Sequence, residues 1–142
     1  MAKFIALDME NAELNAILFK MKVVGMPEKL DELHLSIKSE KRFNGDVLET
    51  MELFCEFDNE ATEKIWAFIK NTNILLVDNV GLSTAVALYF GAFTENPVIV
   101  NVSEMARCLN FEMEPGENKC EAIMTTFASI WKKQTFVCAP YM

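Results

Sequence analysis

The stretch "NILLVDNVGLSTAVALYFGAF", residues 73–93, reads as a strand, a turn and a helix in that order. A near-continuous apolar run such as "NILLV" fits a strand covered on both faces, as parallel strands of an α/β layer are. The glycine and hydroxyls of "DNVGLST" then mark a turn and a helix start, which places a helix near 83–92. A second apolar strand, "PVIVNV" (97–102), follows, and then a short helix "SEMARCLNF" (103–111) with Ser103 as its N-cap. Upstream, "DNEATEKIWAFIKN" (58–71) has the marks of a helix. Asp58 or Asn59 caps it, and Ala61, Ile65, Phe68 and Ile69 form its buried stripe with Trp66 beside them. Helix and strand thus alternate through residues 58–142, the pattern of a sheet with parallel strands and covering helices.

Residues 1–57 read differently. "KFIALDM" (3–9) is a short strand. Behind it Leu14, Ile17, Leu18 and Met21 recur at i, i+3, i+4 and i+7, the stripe of an acidic N-terminal helix capped by Asp8 or Asn11 and ended by Gly25 and Pro27. "LHLSIKS" (33–39) and "TMELFCEF" (50–57) alternate in polarity around "FNGD", a hairpin signal. A two-residue Asn44–Gly45 loop would set Ile37 opposite Glu52 and throw the two apolar sets onto opposite faces. A bulge restores one buried face, so the expected element is a bulged hairpin or one with a longer loop.

After Pro115 and Gly116 the segment "ENKCEAIMTTFASIWKK" is helical, with Ile123, Met124, Phe127, Ile130 and Trp131 inward, and "TFVCAPYM" reads as an edge strand. The expected architecture is α/β or α+β: one domain over residues 1–142, a mixed sheet of about five strands with an N-terminal antiparallel hairpin, and helices packed on the sheet.

Composition narrows the function. The chain is 51% hydrophobic, 24% charged and carries a net charge of −8. Residues 1–63 hold 14 acids against 7 bases, residues 64–142 only 7 against 6. So acidic a surface argues against nucleic acid, which binds through Lys and Arg neutralising phosphate. No membrane partner is expected: Asp78, Asn79, Gly81, Ser83 and Thr84 interrupt the one long apolar stretch. Four scattered cysteines (Cys55, Cys108, Cys120, Cys138) and a lone histidine form no metal or disulfide spacing. Apolar neighbours suggest buried, reduced thiols and a cytoplasmic location. No cofactor is implied.

For chemistry, "DNVGLST" stands where open α/β sheets bind ligands, just beyond a strand's carboxyl end at a helix start. The candidate ligand-binding residues are Asp78, Asn79, Gly81, Ser83 and Thr84. Asp78 suits a hydroxyl or a metal, while Ser83 and Thr84 suit an anion, yet neither GxGxxG nor GxxxxGK[ST] is present. The structural alternative is that Gly81 turns the chain and Ser83 caps the helix, with Asp78 in solvent. His34 falls on the polar face of its strand, an exposed residue more than a general base. Pairs of acids such as Glu49/Glu52 and Glu10/Glu13 read as solvated faces, with carboxylate catalysis the thinner alternative.

The segment "ILLVDNVGLSTAVALYFGAFTENPVIVNVSEMARCLNF", residues 74–111, resembles the central part of STAS domains. In that family a strand leads through an Asp/Ser turn with "GL" into a helix, then a strand and a short helix. The resemblance implies a phosphorylatable serine at Ser83 or, less well, Thr84. It departs from the pattern at Asn79 and Val80, where a Ser-Ser pair would follow the aspartate. The first 40 residues and the final helix also fit that family poorly.

Two functions follow as expectations. The first is a non-enzymatic protein that works by binding another protein, self-association (a homo-oligomer) included. The second is a small-ligand-binding or phospho-regulated module at residues 78–84.

Overall fold

The computed structural model describes residues 2–10, 13–36, 51–52, 55–79, 81–82, 84–85 and 98–138, with the backbone alone at 10 and 134–138. Its centre is strand β1 (Lys3–Glu10), flanked by β2 (Glu13–Lys20) on one side and β4 (Ile74–Val77) on the other. With β3 (Glu28–Ser36) and β5 (Val98–Asn101) at the edges, the sheet order is β3-β2-β1-β4-β5. β1, β2 and β3 form an antiparallel meander, whereas β4 and β5 run parallel to β1. Helices α1 (Asn59–Ile69), α2 (Val102–Cys108) and α3 (Lys119–Cys138) pack on the sheet. The fold is α+β, a five-strand mixed sheet in a single domain, as the sequence leads one to expect.

Both faces of the sheet are covered. Ile5, Leu7 and Met9 of β1 join Leu75, Val77 and the α1 residues Ile65, Phe68 and Ile69 in one core. Phe4 and Ala6 join Phe19, Leu76 and the α3 residues Ile123, Met124 and Phe127 in the other. This two-sided burial corrects the reading of the segment after β1, where residues 13–20 form β2 and not a helix. Leu14, Ala16 and Leu18 enter the first core, Ile17, Phe19 and Met21 the second. A strand buried on both faces has no polar side, so its apolar run satisfies helical spacing without being helical. Asp8 therefore caps no helix there but is a residue of β1, and Asn11 lies outside the described residues. Gly25, at φ +91° in the left-handed region, helps turn the chain between β2 and β3.

The expected hairpin is corrected too. Leu33, His34, Leu35 and Ser36 are in a strand, but one that begins at Glu28 and pairs with β2. Residues 43–46 lie outside the described residues. Met51, Glu52 and Cys55 are helical, with Met51 against the first core and Glu52 and Cys55 exposed. Positions i and i+4 satisfy both periods, so seven alternating residues do not separate helix from strand. A bulge does occur, between β2 and β3: Leu18 pairs with Asp31 but Phe19 with Lys29, leaving Leu30 unpaired. That step puts Lys29, not Leu30, on the α3 face.

The second half follows its reading more closely. Asp58 caps α1, its carboxylate accepting from Ala61 N–H at 2.7 Å. Helix α2 is capped by Asn101 and not by Ser103, and it ends at Cys108. There Asn110 takes a left-handed φ of 53°, and Phe111 N–H donates to the Ala106 carbonyl at 2.7 Å, a Schellman closure. Helix α3 continues through residues 135–138, so the expected edge strand is absent there. Trp131 is 46% exposed although its ring lies 5.7 Å from Phe4. Of the expected helix near 83–92, residues 81–82 and 84–85 are helical, and the rest lies outside the described residues.

Candidate ligand-binding site

The carboxyl ends of β1 and β4 carry a polar row that the flanking strands extend. In β1, Asp8 pairs with Asn15 of β2, and Asn15 pairs with His34 of β3. Parallel pairing sets Ala6 beside Leu76, and Asp8 and Asp78 each stand two residues further along their chains, Asp78 just past the end of β4. Alternation gives these positions one face. Ala6, Ile17 and Leu76 belong to the core under α3, and Asp8, Asn15 and Asp78 share their parity. His34, Asn15 and Asp8 thus cross three adjacent strands where that core stops, and Asp78 follows the end of the fourth. The His34 imidazole Nδ1 is hydrogen-bonded to the Asn15 side-chain oxygen.

Asp8 is only 3% exposed. Burying a carboxylate is expensive unless partners compensate, so its place in an otherwise apolar strand is informative. Beside it, Cys120 of α3 donates its thiol to the Ala6 carbonyl at 3.0 Å. Burial pushes the Cys120 thiol well above its ordinary value, with the Asp8 carboxylate adding to the shift. A raised thiol pKa favours the neutral form in the fold. Its contribution is therefore whole below the ordinary value of 9.0 and is lost as pH rises beyond it. The wild type is expected to lose up to about 1.4 kcal/mol per pH unit on this limb, and Cys120→Ala to lack that part of the slope. Denaturation series at pH 8, 9 and 10 test this, and parallel limbs would refute it. Thiol reagents should label Cys55 and Cys108 in the native protein and Cys120 only on unfolding. Those two cysteines are exposed, against the expectation of buried thiols, Cys108 because Ala106 and Val102 take the buried face of α2. The Cys138 side chain is outside what is described.

Between β2, β3 and the start of α3 the row opens into a cleft of about 270 Å³, lined by Asn15, Lys29, Glu32, His34, Asn118 and Glu121 among others. Lys29 reaches Glu121 at 3.2 Å and Glu32 at 3.3 Å. These contacts, the Glu121 hydrogen bond first, raise the Lys29 pKa and hold it charged.

The residues singled out in the sequence lie at one end of this row. Asp78 is half-buried directly after β4, not free in solvent. Asn79 caps the following helical turn, accepting from Leu82 N–H at 2.9 Å, the role expected of Ser83. Gly81 is buried, Thr84 is exposed, and Ser83 lies outside the described residues. Two other helices start the same way: Asn101 accepts from Glu104 N–H at 3.1 Å and Asn118 from Glu121 N–H at 2.8 Å. Each asparagine satisfies an amide that would otherwise attract an anion.

Sequence reading missed Asp8 and Asn15, taking the first for a helix cap. The available signal was one acid inside the apolar run "FIALDM". Among the described residues no three His, Cys, Asp or Glu side chains converge as a metal site. No helix among them is long and apolar enough to cross a membrane. No protein-family model matches the chain, and no curated protein matches it either.

Proposed function

We propose that the chain is a small-ligand-binding protein whose site is the row His34–Asn15–Asp8–Asp78 with the cleft beside it. The observation that carries this reading is the register that aligns His34, Asn15 and Asp8 across three strands, with Asp78 directly after the carboxyl end of the neighbouring parallel strand. That edge is where open α/β sheets place their ligands. The ligand class follows from charge. In the cleft Glu32, Glu117 and Glu121 outnumber Lys29, and the helix-start amides are already taken by asparagines. A cationic or hydroxyl-rich ligand meets these acceptors, whereas an anion is repelled. Phosphorylation at Ser83 or Thr84 is less favoured for the same reason, since the added charge falls close to Asp78.

Binding, not catalysis, is the role proposed. His34 is engaged by an amide, and the Cys120 thiol is held protonated, so neither supplies an activated nucleophile–base pair. The free, exposed thiols of Cys55 and Cys108 fit a reducing cytoplasm.

Thermal shift with magnesium chloride, spermidine, nucleosides and simple sugars tests the site. A ligand at 100 times its dissociation constant adds about 2.7 kcal/mol, or about 5–10 °C for a chain of this size. The shift is expected to vanish in Asp78→Asn and to weaken in His34→Ala. No shift with any of these, or equal shifts in both variants, removes the reading.

A second reading, binding of another protein with self-association included, is favoured by the apolar turn that joins β2 to β3. Val23, Val24 and Met26 are 93, 84 and 63% exposed there. Contiguous exposed aliphatic side chains are costly in water and mark interaction surfaces.

A further inference from the structure

The turn at residues 21–27 stands at the opposite end of the sheet from the polar row, and its surroundings reverse the charge of the chain. Lys20 precedes it and Lys22 lies within it, and Lys3 pairs with Lys20 across β1 and β2. Lys132 of α3 donates to the Gly25 carbonyl and brings the helix end, with the half-exposed Trp131, against the turn. The acid tied into this group is Glu28, held by Lys20 at 3.1 Å. Four lysines and three exposed aliphatic residues therefore gather on a protein whose net charge is −8.

We infer that this tip docks into an acidic partner protein, its aliphatic residues entering an apolar pocket whose rim carries carboxylates. The inference rests on the protein-binding reading and adds the chemistry of the partner. Charge complementarity selects an acidic rim. Asp8 of the polar row lies toward the other end of the sheet, and exposed charges more than about 8 Å apart are screened at physiological salt. The tip is held in one shape: Pro27 is buried, Gly25 is left-handed, and Lys132 pins the turn to α3. A preorganised convex tip loses little entropy on entering a matching cavity. An anionic bilayer would attract the same lysines but repel the rest of so acidic a chain. A second copy would have to offer an apolar pocket of its own.

Panning a random 12-residue peptide display library on the intact protein tests the partner class. Two variants serve as controls: Val23→Ser/Val24→Ser/Met26→Ser, and the charge reversal Lys20→Glu/Lys22→Glu. All five residues are at the surface or partly so, and unchanged circular dichroism and melting establish that the variants fold. The expected result is enrichment of peptides combining Asp or Glu with Leu, Phe or Trp. Their synthetic versions should bind at least about tenfold more weakly to each variant and weaken as salt rises. Peptides that need the aliphatic tip but carry no acidic bias would overturn the inference and leave the protein-binding reading intact. Tip-dependent sedimentation with phosphatidylserine vesicles, without peptide enrichment, would overturn both in favour of a lipid surface. A dimer in light scattering that the serine variant dissolves would replace the acidic partner with a second copy. No tip-dependent binding of any kind would remove both.

Discussion

Replacing Phe19 by alanine is expected to lower the unfolding free energy by about 3–5 kcal/mol, the range for a fully buried phenylalanine. Phe19 is 0% exposed and sits opposite Phe4 in the β1–β2 register. The Phe4 ring stacks on it at 5.6 Å, and Phe127 of α3 meets it edge-on at 6.4 Å. Phe4 also touches Phe127 at 4.9 Å, so one ring from each of two strands and one from the helix close a cluster. Aromatic pairs of this kind add about 0.5–1.5 kcal/mol beyond the area they bury. The alanine variant leaves a cavity between sheet and helix that the rigid pair of strands cannot close. Against a total stability of about 5–15 kcal/mol, that loss should move the urea midpoint far to the left. Phe19→Leu, which fills more of the space, should keep more than half of the lost stability. A loss under about 1 kcal/mol for the alanine variant would mean that this helix–sheet contact is not part of the stable core.

How far the fold was legible depended on which period each segment could express. Residues 74–77 and 98–101 were read correctly as strands because short apolar runs of four and three bounded by Asp, Asn and Pro leave little room for a helix. Helix α1 was legible from Asp58 onward, because a cap, an acidic first turn and a buried stripe agree. Residues 13–20 misled because a strand buried on both faces shows neither alternation nor a polar side. The same argument that made "NILLV" a buried strand applied to "AILF", but the neighbouring Glu13 and Lys20 made it resemble an amphipathic helix. The error hid the meander, and with it the pairing that places Asn15 between His34 and Asp8.

The site was legible only at its edge. Asp78 and Asn79 could be marked because they follow a strand, and the strand-end rule needs nothing more than local sequence. Asp8 could not be joined to Asp78, because the 69 residues between them carry no sign of the parallel pairing of β1 with β4. The capping roles were also reassigned by geometry. Ser83 and Ser103 are ordinary N-cap candidates, yet Asn79 and Asn101 take the two positions, four and two residues before those serines. An asparagine at or just past a strand end reaches the amide three residues on.

The sharpest test of the two-sided sheet is the adjacent pair Leu75 and Leu76. Both are 0% exposed, but Leu75 enters the core with α1 and Leu76 the core with α3. Each alanine substitution is expected to cost about 2–5 kcal/mol. Neighbours in sequence usually couple when they share partners, and these share none, because the sheet lies between them. The double variant should therefore lose the sum to within about 0.5 kcal/mol, a figure near the whole stability of the domain. It is expected to lack a cooperative transition at 37 °C, and sucrose or trimethylamine oxide would restore enough folded protein to measure it. Coupling above about 1 kcal/mol would mean that the two side chains share one core. The pair also separates scaffold from site. Leu76 supports the face on which Asp8 and Asp78 stand, whereas Leu75 supports the other. A ligand-induced rise in melting temperature should accordingly survive Leu75→Ala and shrink in Leu76→Ala, even where the two variants start from equal stability.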